Sequence, residues 1–326
     1  MRVLVTGGAG YIGSVTAEAL QAAGHEVWIL DNLSRGHRSA VPPGSPLLQA
    51  DVRDREGVAD VLRRERIDCV MHFCAASLVG ESMEKPGVYF DNNVIGMIQL
   101  LQAMVDAGTA GIIFSSSAAT YGEPERIPIP EEHPVRPTNP YGESKVISET
   151  LLSWFHRVHG VRYAALRYFN AAGAAERLGE DHTPETHLIP LALAAAAGTG
   201  APLPIFGRDY LTPDGTCIRD YIHVLDLADA HIRALERLET LEEHTFNLGN
   251  GEGYSVLEVV KTVERVTGSP VPVREAPRRP GDPARLVASA DRAQRRLGWS
   301  PARPQLETIV ADAWSWMQRH PHGYGD

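Results

Sequence analysis

Three glycines set between a short apolar run and a helix-period segment constrain this chain more than any other feature. Val3-Leu4-Val5-Thr6 reads as a strand and Ile12 to Ala23 as a helix, joined by Gly7-Gly8-Ala9-Gly10-Tyr11-Ile12-Gly13. Gly8, Gly10 and Gly13 satisfy GxGxxG, while Gly7, Gly10 and Gly13 satisfy GxxGxxG. Such a loop demands a tight turn, close approach of backbone to a pyrophosphate, and close helix–strand packing. The following helix presents unpaired N–H groups and a positive dipole end to the phosphates. A second strand, Val27 to Leu30, ends at Asp31, 31 − 13 = 18 residues after Gly13. A carboxylate there suits ribose hydroxyls and repels a 2′-phosphate, so NAD is expected rather than NADP. The plainer alternative is a structural turn with Asp31 as a helix cap. Asp51 closes a third strand, Leu47 to Ala50, where its side chain could bond an adenine edge or cap the next helix.

The pattern of that first unit repeats. Apolar runs at Cys69–Phe73 and Ile112–Ser115 alternate with helix-period segments at Glu56–Arg66 and Val94–Ala107. Near-continuous apolar strands separated by helices indicate a parallel sheet covered on both faces. The expected fold class is therefore α/β, a Rossmann-like doubly wound parallel sheet with a smaller, discontinuous α/β substrate domain. Residues 1–168 form the nucleotide domain, with a returning segment near 217–240, and residues 169–326 form mainly the second domain. Asn139-Pro140 opens a long helix to about His159, with Asn as N-cap and Pro at the first helical position. Ser255-Val256-Leu257-Glu258 fits a capping box after a strand at Thr245–Leu248. Residues 270–285 hold five prolines and four arginines and read as an ordered loop.

Composition narrows the partners. The 326 residues carry 31 Lys+Arg against 41 Asp+Glu, a net charge of −10, which disfavours nucleic acid and anionic membrane surfaces. A local basic pocket for a phosphorylated small molecule remains compatible with it. The N-terminal apolar run is too short for a signal peptide, and Leu188–Phe206 is too broken by Pro and Gly to span a bilayer. Three sparse cysteines, Cys69, Cys74 and Cys217, suggest a reducing, cytoplasmic setting without disulfides. No metal is expected. Strand alternation sends Cys69 and His72 to opposite faces, and His156 with His159 lack a third ligand.

Tyr141 and Lys145 stand at i and i+4 in Tyr141-Gly142-Glu143-Ser144-Lys145, on one face of the long helix. A nearby ammonium favours phenolate, which lowers the tyrosine pKa toward the working pH. Ser117, at the end of the Phe114-Ser115-Ser116-Ser117 strand, could sit between Tyr141 and a substrate hydroxyl. The trio suits removal of a proton from an alcohol while hydride leaves its carbon.

These residues and the stretches around them resemble the extended short-chain dehydrogenase/reductase family, and within it the nucleotide-sugar epimerases. The resemblance spans essentially the whole chain. It is carried by TGGAGYIGS at the start, LDNLSRG at 30–36, HFCAASLVGES at 72–82, YFDNNVIG at 89–96 and FSSSAATYG at 114–122. It continues through NPYGESK at 139–145, LRYFNAAGA at 166–174, LGEDHTPETHLIP at 178–190, DGTCIRDYIHVLDLADAH at 214–231 and RRPGDPA at 278–284.

The resemblance implies interconversion of UDP-glucose and UDP-galactose at C4 through a transient 4-keto sugar, with NAD as cofactor. Tyr141 is the base, with Lys145 and Ser117 in support. Gly7, Gly10, Tyr11, Ile12, Gly13, Asp31, Asn32, Asp51, Val52, Phe73, Ala75, Asn92, Tyr141, Lys145 and Phe169 fall where the family contacts NAD. Ser117, Tyr141, Asn170, His187, Leu188, Phe206, Arg219, Tyr221, Arg279, Asp282 and Leu286 fall where it holds the UDP-sugar. Two arginines can pair with a diphosphate and an aspartate with ribose hydroxyls; taken alone, Arg219 and Arg279 also suit interdomain ion pairs. Some members carry Lys in place of Ser77 and Asn in place of His187, and Leu286 aligns with a position that gates sugar size. A homodimer is implied, paired through helices at about 92–107 and 140–159.

Three rival readings stand beside this one. N-acetylated or pentose UDP-sugars are alternative substrates of the same chemistry. A 4,6-dehydratase would place acidic residues after the serine of the middle motif, where this chain has Ala118 and Ala119. A non-catalytic NAD(H)-sensing module would not need Ser117, Tyr141 and Lys145 together.

Overall fold

Period-two alternation inside parallel strands gives this chain two cores, one on each face of a single sheet. The structure, a computed structural model, describes residues 1–279 and 282–325. Pro280 and Gly281 of the RRPGDPA stretch lie outside the described residues. The strands are β1 (Arg2–Thr6), β2 (Glu26–Asp31), β3 (Leu47–Gln49), β4 (Cys69–His72), β5 (Gly111–Ser117) and β6 (Arg162–Tyr168), joined by Thr245–Leu248. Their order is Thr245–Leu248, β6, β5, β4, β1, β2, β3, every neighbour pair parallel. Chain order reverses beside β1, which has β2 on one side and β4 on the other. In doubly wound sheets ligands bind outside the carboxyl ends of the strands at such a switch point.

Helices α1 (Tyr11–Ala22), α2 (Arg55–Arg64), α3 (Val79–Glu84), α4 (Pro86–Tyr89), α5 (Gly96–Ala107), α6 (Pro140–His159), α7 (Leu188–Ala196), α8 (Val224–Arg237) and α9 (Val256–Thr267) follow in chain order. On one face Val3, Val5, Ile29, Met71 and Ile113 meet Ala17 and Leu20 of α1 and Leu227, Ala230 and Ala234 of α8. On the other Leu4, Leu30, Val70 and Ile112 meet Val58 and Leu62 of α2, Leu100 and Met104 of α5 and Leu152 of α6. Fully burying each such aliphatic side chain stabilises the fold by about 1.5–3 kcal/mol. The returning stretch runs past residue 240, because the seventh strand ends at Leu248 and Trp299 is buried in the first of these cores. A separate core gathers α7, α9 and the Leu306–Arg319 helix around Ile189, Leu193, Val259, Val263 and Ile309. No helix among the described residues is long and apolar enough to cross a membrane.

Local signals set several boundaries. Asn139 Oδ1 accepts from Gly142 N at 2.8 Å, Pro140 occupies the first turn, and Gly160 ends α6 in the left-handed region. Ser255 and Glu258 form a reciprocal capping box at α9. Two expectations shift. The helix expected from Val94 is preceded by a wide turn of π-type at Phe90–Ile95. The proline-rich loop 270–285 contains the strand Val273–Ala276, which pairs in parallel with Leu203–Phe206. Prolines at 272 and 277 bound that strand without interrupting it.

Candidate active site

The glycine loop is held from both sides by backbone. Gly7 takes φ of 73°, and a Cβ there would meet Cys74 N at 2.5 Å. A Cβ on Gly13 would lie 2.2 Å from Gly7 O, so helix and turn touch only because neither carries a side chain there. Gly10 differs. It is the N-cap of α1, and its missing side chain would meet only Gly7 O, at 3.4 Å. The backbone at Gly10 therefore borders open space at a helix N-terminus, as a pyrophosphate requires.

Asp31 ends β2 beside this loop. Its Oδ2 accepts from Ala9 N at 3.0 Å and its Oδ1 from Leu33 N at 2.8 Å, so it braces the turn as well as standing at the carboxyl end of the sheet. Asn32 donates to Asp51 Oδ2 at 3.1 Å. Asp51 is clamped by Arg53, with Nε on Oδ1 at 2.8 Å and Nη2 on Oδ2 at 2.7 Å, and that guanidinium pushes its pKa far down. It does not cap α2; Asp54 does, accepting from Gly57 N at 3.1 Å. Val52 is buried against α5, Phe73 packs on His231 with ring centroids 4.7 Å apart, and Ile12, Ala75 and Phe169 are half-buried. The Tyr11 hydroxyl is turned away into the protein, donating to Gly173 O at 2.6 Å. Any contact of Tyr11 with a dinucleotide therefore falls to its backbone.

Strand ends and α6 bring the three candidate reacting groups, Ser117, Tyr141 and Lys145, together. Ser117 closes β5, its Oγ accepting from Ala119 N at 3.2 Å, and its hydroxyl lies beside the Tyr141 phenol. Lys145 is 3% exposed and donates from Nζ to Ser115 O at 2.8 Å. Its Nζ lies 5.7 Å from the Tyr141 ring centroid and 4.9 Å from that of Phe114. Burial pushes the ammonium down to about 8. The expected lowering of Tyr141 by Lys145 is not what the protein alone produces. Loss of water around the phenol raises Tyr141, and the neighbouring Ser117 hydroxyl offsets part of that. The ammonium is drawn to the Ser115 carbonyl instead of the phenol oxygen, so its field on Tyr141 is weak here.

Several groups that position this site have no local signature. Glu149 and Arg167 form a nearly buried ion pair, Nη2 to Oε2 at 2.5 Å, and Ser116 Oγ donates to Glu149 at 2.6 Å. Arg167 also donates to the Tyr121 hydroxyl at 3.0 Å, and Tyr121 to Asn247 at 2.7 Å. This network pins α6, hence Tyr141 and Lys145, to β5 and β6. Asn93 accepts from Ala76 N at 2.8 Å and donates to Ser144 Oγ at 2.9 Å, tying the loop after β4 to α6. Asn92 only supports it, donating to Asn93 Oδ1 at 3.0 Å. His72 bonds Thr6 Oγ1 at 2.7 Å and is pushed down to about 3 by burial and then by the Lys145 charge, so it is neutral.

The remaining residues line the second lobe. Asn170, His187, Leu188 and Tyr221 share one small cleft. Asn170 donates to Asp220 O at 2.9 Å, and Asp220 accepts from Asn250, Gly251 and Ala288 N–H groups, folding the surrounding loops together. Arg219 is ion-paired with Asp282, and Arg279 lies over the Phe206 ring at 4.0 Å. Leu286 pairs in register with Arg219 and is half-buried. His187 is turned to carboxylates: its Nδ1 lies 2.7 Å from Glu180 and 3.0 Å from Glu185.

The donor set fits a dinucleotide: an open glycine turn at a helix N-terminus, an acid 18 residues on, and a buried ammonium beside a serine–tyrosine pair. A sequence profile of the NAD dependent epimerase/dehydratase family matches residues 3–249. The chain is 52% identical over 327 residues to UDP-glucose 4-epimerase of Halalkalibacterium halodurans, covering 99% of this chain and 98% of that one. The UDP-glucose 4-epimerase of Brucella ovis, solved in complex with NAD, superposes with TM-score 0.94 at 46% identity, covering 99% of this chain and 98% of that chain. That of Bifidobacterium longum, solved with NAD+ and UDP, superposes with TM-score 0.95 at 39% identity, covering 99% of this chain and all of the other.

Proposed function

The chain belongs to the NAD dependent epimerase/dehydratase family, and on that premise we propose how its residues divide the work of inverting a sugar carbon. The protein is an NAD-dependent epimerase that interconverts UDP-glucose and UDP-galactose at C4. When bound, NAD would supply reversible hydride chemistry at the sugar C4. Tyr141 takes the proton of the 4-hydroxyl and gives it back. Ser117, beside Tyr141, holds the 4-oxygen and relays that proton. Lys145 bonds the nicotinamide ribose, and its ammonium favours the phenolate to the extent that this contact draws it from the Ser115 carbonyl toward the phenol. The Gly7–Gly13 turn receives the pyrophosphate, Asp31 the adenosine ribose, and Asn32 with Asp51 the adenine edge.

The uridine diphosphate is held at the other lobe. Arg219 and Arg279 suit the two phosphates, and Asp282 the uridine ribose, once the Arg219–Asp282 pair opens to the ligand. Anchoring by the nucleotide leaves the hexose free to turn over, which inversion at one carbon requires. The observation that carries this reading is the convergence of Ser117 and Tyr141, with Lys145 buried one helical turn on. Ala118 and Ala119 after Ser117 offer no acid to expel water, which favours epimerisation over dehydration.

The test uses UDP-galactose deuterated at C4. Product UDP-glucose retaining the label, from protein that releases NAD on heat extraction, is the expected result. Loss of the label to solvent, or protein containing no nicotinamide, overturns the reading.

The three cysteines are free thiols, in keeping with a cytoplasmic enzyme. Pairing of two chains through α5 and α6 is supported by apolar side chains left in water there. Trp154 is 56% and Val158 66% exposed, one turn apart on α6, with Ile95 nearby in sequence to α5 and also exposed. The unaltered protein is expected to sediment as a dimer at micromolar concentration and Trp154→Glu as a monomer. A monomeric unaltered protein refutes the pairing.

A further inference from the structure

Two glutamates and two histidines converge between the lobes, where Glu180 and His187 border the small cleft that Asn170, Leu188 and Tyr221 line. Along the chain they form Glu180-x-His182-x-x-Glu185-x-His187, just before α7. One ligand-type atom from each lies within 4.8 Å of all the others. His187 Nδ1 is 2.7 Å from Glu180 Oε1 and 3.0 Å from Glu185 Oε1. His182 Nδ1 is 3.2 Å from the same Glu180 oxygen and 3.7 Å from Glu185 Oε2. Four donors at about 2.0–2.2 Å around a tetrahedral ion stand about 3.3–3.6 Å apart, and these separations straddle that value.

Two further facts point to a ligand. His182 Nδ1 is sealed from solvent, yet no hydrogen bond of acceptable geometry reaches it among the described residues. Glu180, with its side chain only 7% exposed, faces both ring nitrogens through one oxygen. The surrounding backbone orients the set. Thr186 N and His187 N donate to Glu185 Oε1 at 2.6 and 2.7 Å, the kind of outer support that metal-binding carboxylates have. Two carboxylates side by side, one nearly buried and one half-buried, call for two positive charges. Two imidazolium ions would also balance them, but His182 Nδ1, 3.2 Å from Glu180 Oε1, stands outside hydrogen-bond geometry. One divalent ion with two neutral imidazoles balances the pair and uses the sealed nitrogen.

We propose that Glu180, His182, Glu185 and His187 bind one divalent transition-metal ion, zinc by the chemistry of the donors. Imidazole nitrogen disfavours Mg2+ and Ca2+, which prefer all-oxygen shells. Four protein ligands leave no open coordination position, so the ion is structural. It staples the segment that leads into α7 beside Tyr11 of the glycine turn, whose ring meets His182 edge-on at 6.4 Å. This departs from the metal-free reading of the sequence and assigns His187 Nδ1 to the ion instead of the sugar.

The test begins with full-length protein made without a histidine tag and purified in metal-free buffer. Elemental analysis is expected to find about one zinc per chain. Chelation is expected to lower Tm by several degrees, with recovery on adding Zn2+ and not Mg2+. His182→Gln is expected to keep the far-ultraviolet dichroism of the fold and lose most of the zinc. Metal-poor protein whose Tm ignores both chelator and Zn2+ overturns the proposal, as does full zinc in His182→Gln. NAD content is read on the same sample: NAD without zinc sinks the metal site alone, and zinc without NAD sinks only the proposed reaction.

Discussion

Tyr141→Phe is expected to hold NAD and UDP-sugar as the unaltered protein does while its kcat falls by about 10²–10⁴-fold, the usual worth of a positioned acid–base group. The substitution removes one oxygen and keeps the ring, which packs edge-on to Tyr89 with centroids 6.5 Å apart. Ser117 and Lys145 stay in place, because Ser117 is held by Ala119 N and Lys145 by the Ser115 carbonyl, neither of which involves the phenol. Binding should therefore persist, and the loss should fall on kcat rather than KM. Turnover rates at both sugars with NAD content measured beside them decide it. A variant within a few-fold of the unaltered kcat removes Tyr141 as the base.

The second large effect separates two glycines of one loop. In Gly13→Ala the new methyl meets Gly7 O at 2.2 Å and Gly7 C at 2.9 Å, backbone atoms that no rotamer change can move aside. Overpacking of this kind costs about 1–3 kcal/mol, so Tm should drop by several degrees and the NAD content with it. In Gly10→Ala the methyl meets only Gly7 O at 3.4 Å, so the fold should be spared. The methyl instead occupies room beside the helix N-terminus that a pyrophosphate needs, and NAD affinity should fall by about tenfold or more. Thermal melts and NAD per chain measure both. A Gly13→Ala protein as stable and as NAD-replete as the parent, or a Gly10→Ala protein that loses stability but not NAD, contradicts this account.

Features legible in the sequence share one property: their partners lie within a few residues. The glycine turn, the Asn139 and Ser255 caps, and the i, i+4 pairing of Tyr141 with Lys145 are all local, and local spacing maps onto structure by helix and strand geometry alone. The strand Val273–Ala276 was hidden because its prolines mask a short edge pairing whose partner lies some 70 residues earlier in the chain. Lys145 shows the limit within a single motif. Its place on the helix face follows from spacing, but its partner is the Ser115 carbonyl 30 residues away, and so the phenol is raised by burial rather than lowered by the ammonium.

From sequence alone came the alternation that builds a parallel sheet, the glycine turn at the start of α1, and the trio proposed to handle the proton. Tertiary structure alone decided which groups hold them. Arg167 reaches Glu149 on α6, Asn93 reaches Ser144, and Asp220 gathers three distant N–H groups. The reason is physical. A buried polar group must find a partner wherever the folded chain brings one, and that place is set by how whole elements pack, not by spacing along the sequence. Glu180, His182, Glu185 and His187 illustrate both halves: their order in the chain is plain to read, but only the folded loop turns both Nδ1 atoms toward the same carboxylates.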